Sequence, residues 1–563
     1  MIGMPAGNGI MSMLKIIPLG GLGEIGLNMM VFEYEDTIVI IDAGLMFPEA
    51  YMFGVDYVIP DMDYIRRNKS KVAAIILTHA HEDHIGAMPH LLKEVNVPVY
   101  ATPFTLGMLR HKLEEHDILS QVLLKTITPS EKLHIAPFTF EFIRVNHSVV
   151  DGVGIAVRTP VGLIVHTGDF KLTETAISGM STDVDRFARL GDEGVLALLS
   201  DSTNVEKEGR SISDRQVGGT LEKIVAASSG RVIIALFASN IARIQQIVSL
   251  CERLGRKAVF NGRSIELSVG IASELSLLDI PADLVIDVPE IDNYAPEEIL
   301  ILTTGSQGEP MSVLARMSAG THKQLQIEQG DRVILSSKFI PGNEKAIAKI
   351  INNLFRKGAD VVYETISDIH VSGHAFREEL RTMIALTRPR YFVPIHGEYR
   401  HLIHHANLAE ASGIPKERVL LAENGQVLKF DTSGGRISGS VGASRILVDG
   451  KGIGDVGRSV LKERRLLSEE GLVVVTLAID AETGFVVYGP EIVSKGLVFE
   501  QETGHIIDDA QCVLLEIIEE VALLVDPSRR AEVLRQKLYR GLREYFTFTL
   551  KRRPVILPFI LEL

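Results

Sequence analysis

Cysteine is scarce in this sequence, with only Cys251 and Cys512 among 563 residues. Two cysteines cannot build the disulfide framework of a secreted domain, so we expect a reducing compartment. The first fourteen residues contain no lysine or arginine, and they therefore lack the charged start of a signal peptide. No uninterrupted apolar run is long enough to span a bilayer. We expect a cytoplasmic protein with no membrane partner.

Positive charge is also in short supply, since 58 Lys and Arg face 72 Asp and Glu for a net charge of −14. Such a chain is not a bulk electrostatic binder of nucleic acid, so local basic patches or bound cations must supply any attraction to it. The hydrophobic content of 46% and charged content of 23% are typical of a soluble globular protein. The length predicts two or three domains.

Residues 78–86, which read THAHEDHIG, crowd metal-binding side chains into one short stretch. The apolar run at 71–77 predicts a buried strand just before them, so they are expected in a loop at a strand end. Imidazole and carboxylate together suit zinc, manganese or iron better than calcium. A plain polar turn is the alternative, and it does not explain the crowding. The candidate ligands are His79, His81, Asp83 and His84.

Three later strand candidates also end in a ligand-type side chain, namely His147, Asp169 and His396. Together with the first stretch they make seven ligands, more than one tetrahedral ion needs, so two metal ions are predicted. Asp169 is the natural bridge, because a carboxylate has two oxygens and can hold one ion with each.

Two neighbouring features keep two interpretations each. Asp42 ends a strand candidate at 37–44 and either orients a ligating histidine or caps a turn. The glycine-rich stretch 20–26 follows another strand and either cradles a phosphate or forms a tight turn. Residues 1–13 are predicted to be disordered.

The spacing of the last two ligands predicts an inserted domain. Asp169 and His396 lie 227 positions apart, far more than a compact α/β unit needs to close. Residues from about 212 to about 370 read as alternating strands and helices, with a helix at 240–254, which predicts a parallel α/β domain.

The pattern of 79–84 (HAHEDH) with His147, Asp169 and His396 resembles the metallo-β-lactamase superfamily. The resemblance implies an α/β fold, a four-layer αβ/βα sandwich with a dinuclear site at its edge. It also implies how the ligands divide between the ions. One ion would take His79, His81 and His147, the other Asp83, His84 and His396, and both would share Asp169.

The insertion and several loops resemble the β-CASP nucleases, and within them the bacterial ribonuclease J family. The matching stretches are GGLGEIG at 20–26, SDSTN at 200–204, FASN at 237–240, TTGSQGEP at 303–310, IPGNE at 340–344, HVSGHA at 370–375 and PIHGEYR at 394–400. The resemblance implies a metallo-β-lactamase domain at 14–211 and 371–450, a β-CASP domain at 212–370, and a linker with a small C-terminal α/β domain at 451–563.

This family resemblance implies a metal-dependent hydrolase of RNA phosphodiesters in RNA processing and decay. It implies 5′-to-3′ exonuclease action on single-stranded, 5′-monophosphorylated RNA, together with endonuclease cleavage. The cofactors would be two Zn²⁺ or Mn²⁺ ions. It makes His374 and Asp201 candidates for acid/base catalysis, which suits a histidine that titrates near neutral pH; a structural loop histidine is the alternative.

Two loops are candidates for holding the substrate. Backbone N–H groups, a hydroxyl and imidazoles in the first could bind a phosphate, as the resemblance also implies. The second follows a strand and either touches the RNA backbone or is a structural turn. The candidate residues are His370, Val371, Ser372, Gly373 and His374 in the first loop, and Ser306, Gln307 and Gly308 in the second.

Beyond residue 430 the composition shifts to Gly and Ser, which predicts a linker or domain edge around 430–460. Asp449 and Asp455 there are candidates for an additional structural cation, although acidic glycine-rich loops usually only turn. The C-terminal part carries a basic cluster that either guides RNA, pairs with an acidic subunit or is a solvated helix face. Its residues are Arg529, Arg530, Arg535, Lys537, Arg540, Arg543, Lys551, Arg552 and Arg553. The resemblance implies that this domain forms a homodimer or homotetramer and leaves room for RNA-degradation partners.

The sequence bears on three other functions. A small-molecule hydrolase needs neither the inserted domain nor the 370–374 loop. A non-catalytic scaffold would not need all seven ligands. A DNA-directed β-CASP nuclease stays open, because RNA selectivity depends on contacts to the 2′-OH that the sequence does not reveal.

Overall fold

The computed structural model describes residues 13–49, 51–172, 181–305, 312–337, 343–363, 369, 372–450, 452–497, 504–524 and 529–563. Chain contacts divide the protein into two compact units, residues 1–47 with 58–446 and residues 48–57 with 447–563. The disorder predicted for residues 1–13 falls almost wholly outside the described residues. No helix among them is long and apolar enough to cross a membrane.

Residues 14–201 alternate short buried strands with helices, as their apolar, β-branched runs predict. The elements are β1 (Leu14–Gly20), β2 (Leu22–Gly23), β3 (Met29–Tyr34), β4 (Thr37–Ile41), β5 (Tyr57–Pro60), α1 (Asp63–Arg67), β6 (Val72–Ile76), α2 (Glu82–Ile85), α3 (Met88–Glu94), β7 (Val99–Ala101), α4 (Pro103–Glu115), β8 (Leu124–Thr126), β9 (Lys132–Ile135), β10 (Phe138–Arg144), β11 (Val153–Thr159), β12 (Gly162–His166), α5 (Val184–Glu193) and β13 (Val195–Asp201).

The next part of the chain, to Val362, builds a sheet of its own. Its elements are α6 (Asp214–Ala226), β14 (Val232–Ala235), α7 (Ile241–Leu254), β15 (Lys257–Asn261), α8 (Arg263–Glu274), β16 (Ile299–Thr303), α9 (Val313–Ala319), β17 (Arg332–Leu335), α10 (Glu344–Arg356) and β18 (Asp360–Val362). The five strands pair in parallel in the order β15-β16-β14-β17-β18. The predicted helix at 240–254 is α7, and the Asn240 side chain caps it by accepting a hydrogen bond from the Arg243 N–H.

The chain then returns to the sandwich with α11 (Arg377–Thr387), β19 (Tyr391–Ile395), β20 (Gly397–Glu398), α12 (Tyr399–Ala411), β21 (Gln426–Asp431) and β22 (Gly434–Ser440). One sheet runs β22-β21-β1-β3-β4-β6-β7-β8 and the other β19-β13-β12-β11-β10-β9. Their inner faces share one core that includes Phe32, Ile41, Phe140, Leu199 and Val393. Helices α5, α11 and α12 cover the outer face of the second sheet. The predicted αβ/βα sandwich with an inserted α/β domain is confirmed.

The pairing of the strands explains why polar side chains meet at one edge. Strands β12, β13 and β19 are parallel neighbours, as are β4 and β6. The carboxyl ends of parallel strands lie on the same side of a sheet. Asp169, Asp201 and His396 follow or end the first three strands, and Asp42 follows β4.

Of the linker or domain edge predicted around 430–460, the domain edge agrees with the boundary between the two units at 446 and 447, whereas the linker is wrong for much of the stretch. The described residues there form β22, then β23 (Arg445–Asp449), β24 (Gly452–Ile453) and the start of α13 (Arg458–Glu470). Some of the glycines, such as Gly434 and Gly435, allow close packing. A Cβ on Gly435 would lie 2.4 Å from Cε1 of the Phe430 ring, so no side chain fits there.

The smaller unit holds α13, β25 (Leu472–Ile479), β26 (Val486–Lys495), α14 (Gly504–Leu524), α15 (Arg530–Leu550) and β27 (Val555–Glu562). Its sheet has the order β26-β25-β27, with β25 and β27 parallel. Alternate residues of β25 pack with α14 and α15 into one core, as in Val473, Val475, Leu538 and Phe546. The predicted C-terminal α/β domain is confirmed.

Candidate metal centre

The stretch after β6 places four ligand-type side chains at the sheet edge. The sequence predicts a loop here, and the structure differs in part. Asp83 and His84 lie on the one-turn helix α2. His81 caps this helix with an extended backbone, and the acidic residues of the first turn favour the helix through its dipole. His79 and His84 are buried, with 2% of each side chain exposed.

The first group of candidate ligands is His79, His81, His147 and Asp169. Nδ1 of His81 lies 3.1 Å from Nε2 of His79 and 3.1 Å from Nε2 of His147. Oδ2 of Asp169 lies 3.6 Å from the His79 Nε2 and 3.7 Å from the His147 Nε2. Tetrahedral zinc with bonds of about 2.05 Å separates its ligand atoms by about 3.3 Å, so this spacing suits one such ion.

The second group is Asp83, His84 and His396, again with Asp169 beside it. Nε2 of His84 lies 3.6 Å from Oδ2 of Asp83, and Nε2 of His396 lies 3.8 Å from the same oxygen. Oδ2 of Asp169 lies 3.4 Å from the His84 Nε2 and 3.3 Å from the His396 Nε2. One oxygen of Asp169 therefore faces both groups, whereas the sequence predicts that each of its two oxygens holds one ion.

Hydrogen bonds on the far side of the imidazoles fix which nitrogen faces the centre. The Nδ1–H of His147 donates to the Gly373 carbonyl (2.7 Å), and that of His396 donates to Oδ1 of Asn28 (3.0 Å). Nδ1–H of His84 donates to Oδ2 of Asp42 (2.8 Å). Since these partners accept from Nδ1, Nε2 is in each case the nitrogen that faces the centre and can bind an ion there.

Thr78 completes this second layer. Its Oγ1 donates to Oδ2 of Asp42 (2.8 Å) and accepts from Nδ1 of His79 (3.0 Å), while its backbone N–H donates to Oδ1 of Asp42 (2.8 Å). Asp42 therefore accepts three hydrogen bonds and orients His84 directly and His79 through Thr78. Of its two sequence interpretations, the geometry favours the orienting one.

Burial and charge set the protonation of the ring nitrogens. Burial holds the pKa of His79 and His147 well below 6.5 and lowers the pKa of His81 to about 4. Burial also opposes charge on His84, but Asp169, Asp83 and Asp42 outweigh it and raise its pKa well above 6.5. Burial opposes charge on His396 as well, but Asp169 and Asp201 raise its pKa to about 9, so His84 and His396 give up a proton when an ion binds. The neutral imidazoles of His79, His81 and His147 already offer lone pairs beside Asp169, so the residues fit divalent metal binding.

His374 and Asp201 form a pair beside the two groups. Nδ1 of His374 donates to Oδ2 of Asp201 (2.8 Å) and lies 3.9 Å from Oδ2 of Asp169. Burial would lower the pKa of His374, but Asp201 and then Asp169 raise it above 6.5. The His374 side chain is 21% exposed, whereas that of Asp201 is buried at 1%.

The predicted substrate loop is described only in part. Oγ of Ser372 accepts from the His374 N–H (3.2 Å) and from Nδ2 of Asn204 (2.5 Å), which leaves its own proton available for an anion. Gly373 supports a ligand instead, because a Cβ there would lie 2.5 Å from Cε1 of His147. The predicted residues His370, Val371, Ser306, Gln307 and Gly308 lie outside the described residues.

The structure does not support the structural cation predicted at Asp449 and Asp455. Oδ2 of Asp449 pairs with Nη2 of Arg464 at 2.5 Å. Among the described residues, the groups of three or more potential ligands include neither Asp449 nor Asp455.

Asn28, Thr78 and Asn204 are the polar residues of the centre that sequence reasoning missed. Asn28 also donates from Nδ2 to the backbone oxygen of Asp83 (3.1 Å). The one available signal is position, since Asn28 follows the glycine-rich stretch and Thr78 opens the histidine stretch.

Comparison with known families now adds to this geometry. Family models match residues 22–200 (metallo-beta-lactamase superfamily), 229–354 (ribonuclease J, beta-CASP domain), 358–419 (Zn-dependent metallo-hydrolase RNA specificity domain) and 459–563 (ribonuclease J C-terminal domain). Ribonuclease J 1 of Streptococcus pyogenes is 42% identical over 97% of both chains. The chain belongs to the ribonuclease J family.

Other members of the ribonuclease J family match as completely. Ribonuclease J2 of Bacillus subtilis is 39% identical over 98% of both chains. Ribonuclease J of Thermus thermophilus is 41% identical over 98% of this chain and 95% of that one. A solved Enterococcus faecalis protein of unknown function, at 16% identity and a TM-score of 0.52, covers 74% of this chain and all of its own, and it supports the fold alone.

Proposed function

We propose that this chain is a 5′-to-3′ exoribonuclease that acts on single-stranded, 5′-monophosphorylated RNA. Its class is a metal-dependent ribonuclease of RNA processing and decay, because it belongs to the ribonuclease J family. The observation that carries the proposal is the pair His374 and Asp201 beside two converging ligand groups. Endonuclease cleavage is part of the same proposal, since the same centre can hydrolyse an internal phosphodiester.

We propose two divalent ions, zinc or manganese. His79, His81 and His147 would hold one, Asp83, His84 and His396 the other, and Asp169 both. Bound there, the ions would lower the pKa of a water and neutralise charge on the phosphate. Support comes from the inward-facing nitrogens and from the single Asp169 oxygen within 3.7 Å of both groups.

His374 is the proposed proton donor to the leaving oxygen. Asp201 holds its Nδ1–H, so the Nε2–H faces the open side. Hydrolysis breaks the phosphorus–oxygen bond to the 3′ oxygen and forms one to the oxygen of water. His374 gives its proton to the departing 3′ oxygen and later regains one from solvent.

The products of that step support repeated action from the 5′ end. Cleavage at the 3′ oxygen releases a nucleotide and leaves a new 5′-phosphate on the remaining chain. Ser372, next to His374, offers a hydroxyl for such a phosphate, and Asn204 holds it there by donating to its Oγ and to the His374 carbonyl. The loops at 306–308 and 370–371 are proposed to complete this contact.

The domain limits 14–211, 212–370, 371–450 and 451–563 are proposed with this function, and the inserted domain is proposed to act as a cap over the RNA. We place the activity in the cytoplasm, because the substrate class is cellular RNA and two cysteines suit a reducing compartment. Proteins of RNA degradation are the proposed partners.

A second copy of the chain is the proposed partner of the smaller unit, in a homodimer or homotetramer. On β27, Leu557, Phe559 and Leu561 are 42%, 57% and 59% exposed, and alternation places them on one face of the sheet. β27 is also an edge strand of its sheet. An exposed apolar edge strand pairs readily with its own copy about a two-fold axis. Sedimentation should show smaller particles for Phe559→Glu, and an unchanged mass would contradict this assignment.

The function is tested on matched substrates. Purified protein receives 5′-monophosphorylated RNA, its 5′-triphosphorylated copy and a DNA copy, with zinc or manganese and with chelator. We expect mononucleotides from the first RNA only with metal, and none with His81→Ala or His374→Ala. His111→Ala, an exposed histidine on α4, is the matched control.

Each other outcome has a meaning. Internal fragments would favour endonuclease cleavage over exonuclease cleavage. Equal digestion of DNA would favour a nuclease that does not select RNA. No cleavage in either metal would refute the nuclease assignment and bring a small-molecule hydrolase forward.

A further inference from the structure

Glu379 is a buried carboxylate with an unusual set of partners. It lies on α11, its side chain is 1% exposed, and both oxygens are fully used. Oε1 accepts from the Leu172 N–H (2.8 Å) and the Ser211 O–H (2.9 Å), and Oε2 accepts from the Ser211 N–H (2.9 Å) and the Phe376 N–H (2.8 Å). Four donors from three chain segments therefore converge on one side chain.

The three segments are those that surround the proposed chemistry. Leu172 follows Asp169 by three residues, and Phe376 follows His374 by two. Ser211 lies on the chain that leaves the sandwich for the inserted domain, just before α6. Glu379 thus fastens the outgoing chain to the segments downstream of both site residues.

Backbone bonds make the connection to the site short. The Ala375 N–H donates to the Phe170 carbonyl at 2.7 Å, so a hydrogen bond directly joins the residue after His374 to the residue after Asp169. The Arg377 N–H donates to the Lys207 carbonyl (3.0 Å) in the same junction. A shift of this junction therefore moves His374 relative to Asp169.

Helix capping alone does not explain Glu379. A glutamate at the third helical position often accepts from the N–H before the helix, as it does here from Phe376. The bonds from Leu172 and Ser211 come from 207 and 168 positions away. Burying a carboxylate costs free energy unless donors such as these satisfy it. Removal of the Glu379 carboxylate in turn leaves three N–H groups and a hydroxyl without their acceptor.

We propose that Glu379 is a positioning residue for proton transfer, which holds His374 in place relative to Asp169. This inference rests on the proposed role of His374 as proton donor. Glu379 touches neither substrate nor metal ligand, and it acts through the junction that it binds.

The test separates proton donation from the rest of the site by the leaving group. RNA releases a 3′ oxygen that needs a proton, whereas bis(4-nitrophenyl) phosphate releases a phenolate that leaves without one. In Glu379→Ala we expect kcat on RNA to fall about 100-fold, since small misplacements of a catalytic group cost this much. We expect KM, metal content and hydrolysis of the phenyl ester to stay within about two-fold of the unaltered protein. Glu378→Ala is the matched control, an exposed neighbour that pairs only with Arg381 among the described residues.

Two further variants keep the test decisive. Glu379→Gln retains shape and two of the four bonds, those that Ser211 N–H and Phe376 N–H donate, when its NH₂ group takes the place of Oε1. The Ser211 hydroxyl can then turn to accept from the NH₂ group, so only the Leu172 N–H lacks an acceptor. The loss on RNA should therefore be smaller than that of alanine, and this variant serves if Glu379→Ala does not fold. Glu379→Ala added to His374→Ala should cost no more than about two-fold beyond His374→Ala alone, because the two residues act as one unit.

The outcomes distinguish this inference from the proposed function. If the unaltered protein does not cleave RNA, the proposed function fails whatever Glu379 does. If it cleaves RNA and Glu379→Ala loses both activities together with metal, or adds its full loss to His374→Ala, the positioning role is overturned. Unchanged RNA cleavage in Glu379→Ala would also overturn it.

Discussion

Asp42 accepts three hydrogen bonds at the base of the metal centre, and its replacement by asparagine tests how far this second layer controls metal binding. Both oxygens face donors, from Thr78 and from the His84 imidazole. An asparagine has to turn its NH₂ group toward one of them. It therefore loses at least one bond and the negative charge that holds His84.

The size of the effect follows from those contacts. A hydrogen bond to a charged group contributes about 1.5–3 kcal/mol, and an outer-layer partner of a ligating histidine changes metal affinity by about 10–100-fold. Since about 1.4 kcal/mol is a factor of ten, the two figures agree. We expect Asp42→Asn to weaken the binding of the ion that we propose at Asp83, His84 and His396 within this range.

Competition with a chromophoric chelator measures that affinity for each ion. Asp36→Asn is the control, because this side chain is 91% exposed and pairs only with Lys71 among the described residues. Folding is checked by circular dichroism. Equal metal affinity in Asp42→Asn and the unaltered protein would refute the orienting role of Asp42.

Three more changes test other parts of the account. Gly373→Ala places a Cβ 2.6 Å from Nδ1 of His147, so elemental analysis should find metal lost from that ion's site, and full metal content would contradict this. Arg186→Met removes the partner that most lowers the pKa of Glu141. The stabilisation from this contact is present above the ordinary pKa of 4.5 and is lost as pH falls. The variant should therefore have a smaller free energy of unfolding than its parent at pH 7, and the difference between the two should shrink in acid. Leu538→Ala in the C-terminal core should cost about 2–5 kcal/mol of unfolding free energy, and an unchanged melting transition would contradict that packing.

The ligands at strand ends could be predicted from the sequence because their pattern is local. Each of His79, His147, Asp169 and His396 follows an apolar run, and parallel strands bring such ends to one edge. The inserted domain was likewise predictable from a spacing too long for one α/β unit. Roles at the centre, including the division of ligands between two ions, remain predictions.

The hydrogen bonds that orient the ligating histidines could not be predicted from the sequence because they join distant segments. The Gly373 carbonyl meets His147 across 226 positions, and Asn28 meets His396 across 368. A lone asparagine or a backbone carbonyl has no spacing that announces such a role. The glycine-rich stretch around 430–440 misled for a related reason, since glycine marks both flexible linkers and strands packed closely on rings.

The central claim is that two divalent ions at this edge enable RNA hydrolysis. Metal-free protein should be titrated with zinc or manganese while cleavage of 5′-monophosphorylated RNA and bound metal are followed together. We expect no cleavage without metal and full activity near two ions per chain, with His81→Ala inactive at the same loading. Cleavage that persists in chelator, or full activity in His81→Ala, would contradict it.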